Sequence, residues 1–328
     1  RARASMRAGG RRRLPTWSAR NGGSLRCAMP APYCADAAFV PVRGHDRVAT
    51  VEHGVVTFLT DYGISAVELA RATEERGFGS LFLTEHTHIP AARKTPWPGG
   101  AELPKRYAHT FDPFVALAAM AAVTERIALG TAVSLVCQHD PIVLAKQVAS
   151  LDRISGGRFE LGVGMGWNRE EMANHGVDPR TRARRMREHV LAMQAIWAQE
   201  EASFDGEFVK FDRIWSWPKP LRRPPILIGG GGPGVVDRVV EFGDGWIPLR
   251  VRRTELDALR ERISEMRGKA AEAGRGPVTV TVYGAAATPE ALESYAAAGV
   301  DRVLFELPDE PADGVLRRLD ELAALSNG

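Results

Sequence analysis

The sequence predicts an α/β fold, a TIM (β/α)8 barrel, over most of its length. After residue 54, short apolar runs typical of strands alternate eight times with longer segments of helical periodicity. Most of the strand-type runs are continuously apolar, which indicates a parallel sheet covered by helices. Eight such units in about 275 residues have the number and size of a TIM barrel. A doubly wound open sheet is the competing arrangement.

The composition is that of a globular protein and excludes several functional classes. Of the 328 residues, 45% are apolar and 25% are charged. No apolar run approaches the roughly 20 residues that a membrane-spanning helix needs, so we expect no membrane association. Residues 1–50 carry ten Arg and two Asp, whereas the other 278 residues carry 33 basic and 38 acidic side chains. Because the larger part is mildly acidic, we expect no nucleic-acid partner.

Residues 1–50 are predicted to be a disordered, Arg-rich N-terminal extension or the product of a misplaced translation start. Residues 51–328 are predicted to form the barrel domain. The arginine run at 11–13 is not followed by an apolar segment, because Pro15, Arg20 and Gly22 interrupt it, so the pattern of an export signal is missing. The three cysteines form no CxxC motif or Cys/His ligand set, which indicates a reducing, cytoplasmic location.

The first three units each pair a strand with a helix, and a fourth strand follows them. Strands are predicted at 55–59, 81–84, 127–133 and 159–163, and helices at 65–76, 112–124 and 141–153. Ser65 is a typical N-cap for the first helix, and Pro141 suits the first turn of the third. A long loop at 89–110, rich in Pro and Gly, separates the second strand from its helix.

An insertion at 164–224 interrupts the alternation after strand 4. It contains a predicted helix at 180–198, with apolar residues at helical spacing, and a polar hairpin around Asp205 and Gly206. The alternation then resumes with strands at 226–228, 246–249, 278–283 and 302–307 and helices at 234–242, 253–273, 289–298 and 313–325.

The loop after strand 2 carries the first candidate site residues, Glu85 and His86. In a TIM barrel the loops that follow the strands form the active site. An imidazole beside a carboxylate suits general acid–base catalysis near neutral pH. The alternative is that the two side chains form hydrogen bonds across the barrel rim. His86 and His88 lack a third ligand at a suitable spacing, so no metal site is expected.

Small residues follow strands 3 and 4. They permit the close approach of a flat ligand, although they also suit tight barrel packing. After strand 4 the pattern GxGxxG is not met, because position 167 is Trp, and a Rossmann site is therefore excluded. Glycines beside a Trp fit a stacked ring cofactor, and the alternative is that Trp167 only packs the loop. The candidate cofactor-binding residues here are Thr131, Ala132, Val133, Gly164, Gly166, Trp167 and Asn168.

A glycine run at 229–232 lies between strand 5 and its helix. Unpaired N–H groups at a helix N-terminus favour a phosphate, and we therefore predict a phosphate site at Gly230, Gly231 and Gly232. No Lys-Ser/Thr pair follows, so this run is not a nucleotide-hydrolysing P-loop. A flexible turn is the alternative.

Over residues 54–328 the chain resembles the bacterial luciferase-like monooxygenase superfamily. Within that superfamily it resembles the actinobacterial branch of coenzyme F420-dependent oxidoreductases. The stretches that carry the resemblance are TEHTHIP at 84–90, DPIVLAK at 140–146, LDRISGGRF at 151–159, GVGMGWN at 162–168, WSWPKP at 215–220 and the glycines at 229–232.

The resemblance implies a TIM barrel that binds F420, or alternatively FMN, at its C-terminal rim. The ring would lie over the end of strand 3, where a non-prolyl cis peptide is often found, and Ala132–Val133 is the matching bond. His86 matches a proton-transfer position, and Glu85 matches an acidic one. The cofactor phosphate would bind the glycine run.

The implied reaction is hydride transfer between the deazaflavin and a small organic substrate. Some deazaflavin dehydrogenases have a catalytic Glu where this chain has Trp167, which argues against a sugar-phosphate dehydrogenase. The alternatives are an FMN-dependent monooxygenase using reduced flavin and O2, and a non-catalytic flavin-binding barrel. A homodimer and a separate flavin or deazaflavin reductase are the protein partners left open. The 89–110 loop and the insertion are candidate lids, with Trp97, Tyr107, Trp215 and Trp217 available to line an apolar pocket.

Overall fold

The computed structural model describes residues 51–100 and 102–326, so the predicted extension at 1–50 lies outside the described residues. Ten strands occur in the described part: β1 (Glu52–Thr57), β2 (Ser80–Leu83), β3 (Ala128–Thr131), β4 (Phe159–Val163), β5 (Ala202–Asp205), β6 (Lys210–Ile214), β7 (Ile226–Gly229), β8 (Gly245–Ile247), β9 (Thr279–Tyr283) and β10 (Arg302–Glu306). Eight form a closed parallel barrel in the order β1-β10-β9-β8-β7-β4-β3-β2. The predicted TIM barrel is confirmed, and closure excludes the open sheet.

Nine α-helices accompany these strands in the described part: α1 (Ala66–Glu75), α2 (Pro113–Ala121), α3 (Pro141–Ile154), α4 (Arg169–Asn174), α5 (Arg182–Ala198), α6 (Val235–Phe242), α7 (Leu256–Glu272), α8 (Pro289–Ala298) and α9 (Ala312–Ser326). Several begin at side-chain caps that accept hydrogen bonds from first-turn N–H groups, namely Ser65, Asp112, Asp140 and Thr288. None of the helices in the described ranges has the length and apolar character that crossing a membrane requires.

The insertion lies between β4 and β7 and contains α4, α5 and the antiparallel β5–β6 hairpin. The helix and the hairpin were predicted, whereas the short helix α4 was not. Trp197 of α5 donates from Nε1 to the carbonyl oxygen of Ala145 in α3 at 3.0 Å, so the insertion packs against the helical layer.

The barrel interior is apolar over most of its height and ionic at its N-terminal end. The inner apolar cluster consists of Val56, Phe82, Ala132, Leu227, Ile247, Tyr283 and Leu304. At the N-terminal end of the strands, Arg302 forms ion pairs with Glu52 and Glu160, each at 2.8 Å. A larger apolar cluster fills the space between strands and helices. The barrel is therefore filled, and a ligand has access at the C-terminal rim.

Candidate active site at the C-terminal rim

His86 follows β2 and forms a buried pair with Glu171. Its Nδ1 atom lies 2.9 Å from Oε2 and 3.1 Å from Oε1 of Glu171. His86 is 8% exposed and Glu171 is fully buried. Because Nδ1 faces the carboxylate, Nε2 is the ring nitrogen left for proton exchange.

Helix α4 positions Glu171, a residue that sequence analysis missed. The side chain of Asn168 is the N-cap of α4 and accepts a hydrogen bond from the Glu171 N–H at 3.3 Å. A carboxylate in the first turn is favoured by the helix dipole. The spacing of Asn168 and Glu171 is that of a capping motif, which was the available signal for this helix start. Asn168 is itself fully buried, and its predicted contact with a cofactor stays a prediction.

Glu85 turns away from His86 and binds the segment that follows β3. Its Oε2 atom accepts hydrogen bonds from Ser134 Oγ at 2.8 Å and from the Leu135 N–H at 2.6 Å. Its Oε1 atom lies 2.7 Å from Nε2 of His139, another residue that sequence analysis missed. With both oxygens engaged, Glu85 is suited to holding this segment in place.

The Glu85–His139 pair shifts the pKa of both groups toward their charged forms. Burial alone would raise the pKa of Glu85, but the hydrogen bond and charge of His139, with the Leu135 and Ser134 donors, outweigh it and lower the pKa. Burial alone would lower the pKa of His139, but Glu85 outweighs it and raises the pKa. The segment after β3 is therefore held by an ion pair.

The end of β3 forms a flat platform. The Ala132–Val133 peptide bond is cis, as the resemblance implied. Thr131 donates from Oγ1 to the carbonyl oxygen of Gly162 at 2.7 Å, and the Ala132 N–H donates to the Leu83 carbonyl oxygen at 2.7 Å. These bonds tie the platform to the strands on both sides.

The glycines beside the platform make room for Val133. A Cβ atom at Gly164 would lie 2.3 Å from Val133 Cγ2, and one at Gly229 would lie 2.5 Å from Val133 Cγ1. Gly164 therefore has a packing role that sequence analysis did not assign to it. Gly166 differs, because its positive φ of 73° turns the chain toward Trp167.

The glycine run after β7 directs its carbonyl groups into the protein. The carbonyl oxygen of Gly230 accepts from Trp246 Nε1 at 2.6 Å, and that of Gly231 accepts from Arg262 Nη1 at 2.9 Å. The Gly232 carbonyl accepts from the N–H of Val235 in α6 at 3.3 Å. Within the described residues, the N–H groups of Gly231 and Gly232 have no partner. Such free amides form an anion-binding concavity.

A cavity of about 550 Å³, here called the arginine pocket, adjoins the glycine run. Its walls come from the segment after β4, the start of α5 and the start of α6. It is lined by Met165, Arg169, Asp178, Pro179, Arg180, Arg182, Ala183, Pro233 and Arg238. The Nε atom of Arg238 is buried and lacks a hydrogen-bond partner in the described part of the chain. Burial lowers the pKa of Arg238, and Asp237 offsets this only in part.

Aromatic rings cover His86. The Tyr107 ring lies 5.2 Å from the His86 ring and 4.6 Å from the Phe58 ring. Trp167 lies 5.9 Å from His86 and 6.2 Å from Tyr107, which also contacts Trp97 at 5.8 Å. Trp97 and Tyr107 of the 89–110 loop therefore lie at the barrel mouth, as predicted.

The expectation that Trp215 and Trp217 line the same pocket is wrong. Trp215 is 76% exposed and Trp217 is 56% exposed. The backbone carbonyl of Trp217 accepts a hydrogen bond from Lys146 of α3, and its ring contacts Lys219. Lys219 in turn binds the carbonyls at the end of α5, so this segment lies beside the helical layer and away from His86.

Residues 51–100 and 102–326 contain no group of three or more His, Cys, Asp or Glu side chains placed to hold a metal ion. His88 instead lies 2.9 Å from the side-chain nitrogen of Asn174.

Comparison with known proteins supports the features of this rim. The sequence profile of the luciferase-like monooxygenase family matches residues 55–325. An uncharacterized protein of Mycobacterium tuberculosis (strain ATCC 25618 / H37Rv) is 42% identical over 280 residues, 84% of this chain and 98% of that protein. The F420-dependent glucose-6-phosphate dehydrogenase of Kineococcus radiotolerans is 31% identical over 214 residues, 62% of this chain and 57% of that enzyme. The FMNH(2)-dependent dimethylsulfone monooxygenase of Pseudomonas fluorescens is 30% identical over 134 residues, 40% of this chain and 36% of that enzyme.

A solved structure of an F420-dependent secondary alcohol dehydrogenase in complex with an F420-acetone adduct shares the fold. Its TM-score is 0.67 at 17% identity, covering 84% of this chain and 98% of that chain. The family match extends over most of the sequence, and the relatives with named activities are dehydrogenases and monooxygenases. The chain therefore belongs to the luciferase-like monooxygenase family and is an oxidoreductase.

Proposed function

We propose that this protein is a coenzyme F420-dependent oxidoreductase that transfers a hydride between the deazaflavin and a small organic substrate. The observation that carries the proposal is the buried His86–Glu171 pair beside the end of β3. Hydride transfer at a carbon that bears oxygen leaves a proton to be moved, and an imidazole held by a carboxylate suits that task. Relatives named as F420-dependent dehydrogenases support the deazaflavin as the hydride carrier.

The residues at the rim fit a flavin-shaped cofactor that ends in a phosphate. Ala132 and Val133 would support the ring. The free N–H groups of Gly231 and Gly232 would hold the phosphate, and the space where their Cβ atoms would stand is open. Arg238, with its buried and unpartnered Nε in the described structure, lies at the start of the following helix. When bound, the cofactor supplies the carbon that takes up or releases the hydride.

The chain itself supplies proton transfer and water exclusion. His86 Nε2 exchanges a proton with the substrate oxygen, and Glu171 orients the ring and stabilises its charged form. Tyr107, Trp97 and Trp167 exclude water from the reacting atoms. Because position 167 is Trp, the proton is assigned to His86 alone. A homodimer and a separate cofactor reductase stay predictions.

Titration of the purified full-length chain with F420 and FMN, each oxidised and reduced, tests this proposal. Quenching of tryptophan fluorescence reports binding, since Trp167 lies near the platform. We expect F420 to bind at least about tenfold more tightly than FMN, a difference of about 1.4 kcal/mol. Tighter binding of reduced FMN, with O2 consumption by the complex, would instead support the FMN-dependent monooxygenase.

A further inference from the structure

The arginine pocket continues the glycine run along the rim. Because β4 pairs with β7, the segment after β4 and the glycine run after β7 are neighbours. The pocket lies between them, with Pro233 on one wall and Arg169 on the other. A ligand whose phosphate binds the free amides of Gly231 and Gly232 would therefore extend directly into this pocket.

The charge of the pocket exceeds what one phosphate needs. Four arginines and one aspartate line it, and Asp178 is already paired with Arg180 at 2.7 Å. Arg169, Arg182 and Arg238 form no salt bridge with any described residue. Three unpaired guanidinium groups around one cavity repel one another unless an anion lies between them.

Arg238 indicates where the anion approaches. Its Nη1 atom lies 3.2 Å from the position that a Cβ of Gly234 would take, so the guanidinium folds back over the start of α6. The helix N-terminus there has no side-chain cap and carries its own partial positive charge. A buried, unpartnered Nε beside that positive end is costly without a bound anion.

We infer that the arginine pocket binds an anionic tail beyond the cofactor phosphate, and that this tail is the oligoglutamate chain of F420. The chemistry of the two candidate cofactors separates them here. FMN ends at its phosphate monoester, whereas the F420 phosphate is a diester that continues through a lactyl group into glutamates with free carboxylates. Arg169 and Arg182 would bind these carboxylates. The inference rests on the proposed function and names the residues that select the cofactor.

The test compares the binding of two deazaflavins by fluorescence titration or calorimetry, without any turnover. One is F420 with several glutamates, and the other is the same molecule without glutamates. At about 50 mM salt we expect the glutamylated form to bind about tenfold more tightly, and we expect the difference to shrink as salt screens the charges. The double variant Arg169→Gln/Arg182→Gln should lose this difference and keep its affinity for the form without glutamates.

Arg318→Gln is the matched control, because Arg318 lies on α9 and pairs with Glu321. This variant should keep the full difference between the two ligands. Equal affinity of the wild-type chain for both forms, or equal weakening of both in the double variant, would overturn the inference and leave F420 as the cofactor. Failure of both deazaflavins to bind, with FMN binding tightly, would instead overturn the proposed function and this inference with it.

Discussion

His86 and Glu85 are neighbours in the chain but have different partners. Successive side chains of an extended segment point to opposite sides, so one reaches α4 and the other reaches the segment after β3. His86 is therefore paired with Glu171, 85 positions further along the chain. An adjacent acid and base in a sequence need not form one catalytic pair.

Replacing His86 tests its role in proton transfer. We expect His86→Ala to slow hydride transfer by at least about 10²-fold in single turnover, with cofactor affinity nearly unchanged. His86→Gln keeps hydrogen bonding but cannot titrate, so it should be almost as slow. The measurement is stopped-flow absorbance of F420 with any substrate that the wild-type enzyme turns over. Recovery of the rate in the Gln variant would show that His86 only forms hydrogen bonds.

Replacing His139 tests the ion pair with Glu85. His139→Leu leaves a buried carboxylate without its cation and should lower the free energy of unfolding by about 3 kcal/mol, measured by denaturant titration. His139→Gln retains a donor and should lose less. Equal stability of the Leu variant and the wild type would contradict this role.

The stability lost in His139→Leu should depend on pH in both directions. The pKa of Glu85 is lowered by folding, so its contribution is present above its unfolded pKa and is lost as pH falls through the folded value. The pKa of His139 is raised, so its contribution is present below its unfolded pKa and is lost as pH rises through the folded value. The difference between wild type and variant should therefore be largest at about pH 5 to 6.5.

At the scale of elements, the end of β3 and the glycine run divide the candidate site into a ring half and a phosphate half. Val133 packs into the gaps at Gly164 and Gly229, which holds the platform against β4 and β7. The glycine run has its carbonyls engaged and two amides free. Glycine is required for packing in the first half and for an open, charged concavity in the second.

Gly231→Asp tests the phosphate half. No atom lies within 4 Å of the Cβ position, so we expect folding stability to change little. The added negative charge should weaken cofactor binding by about tenfold or more. Gly268→Asp makes the same change at another open glycine, in α7, and should leave affinity unchanged. If both variants bind cofactor like the wild type, the phosphate binds elsewhere.

At the scale of the whole molecule, the two ends of the barrel have separate tasks. The N-terminal end holds the Arg302 ion pairs, and the C-terminal end holds His86, the platform and the glycine run. The apolar interior separates them. Stability and binding should therefore respond to different substitutions, as is usual in this architecture.

Arg302→Met tests that separation. It leaves Glu160 buried without its cation and should lower the free energy of unfolding by about 3 to 5 kcal/mol while cofactor affinity stays the same. Burial alone would raise the pKa of Glu160, but Arg302 lowers it, so this contribution is lost as pH falls through the folded pKa. The gap between variant and wild type should accordingly close in acid. A large loss of cofactor affinity would contradict the separation of the two ends.

Particular residues show how far the sequence could be interpreted. The periodicities of strand and helix predicted the barrel and placed Glu85, His86 and the glycine run on one rim. They did not predict α4, because a helix of six residues has too short a pattern. They also put Trp217 at the barrel mouth, because an aromatic residue in an insertion has no periodic signal for the side it faces.

Local physical chemistry let the sequence by itself determine the alternating elements, their caps and the two glycine-rich turns, since each depends on residues close together in the chain. Only the tertiary structure decided which side chains meet. It brought Glu171 to His86, turned Glu85 toward His139 and joined Arg169 and Arg182 with Arg238 around one cavity. These contacts depend on the closure of the barrel and on the path of the insertion. Both are set by the packing of the whole chain, which no local pattern contains.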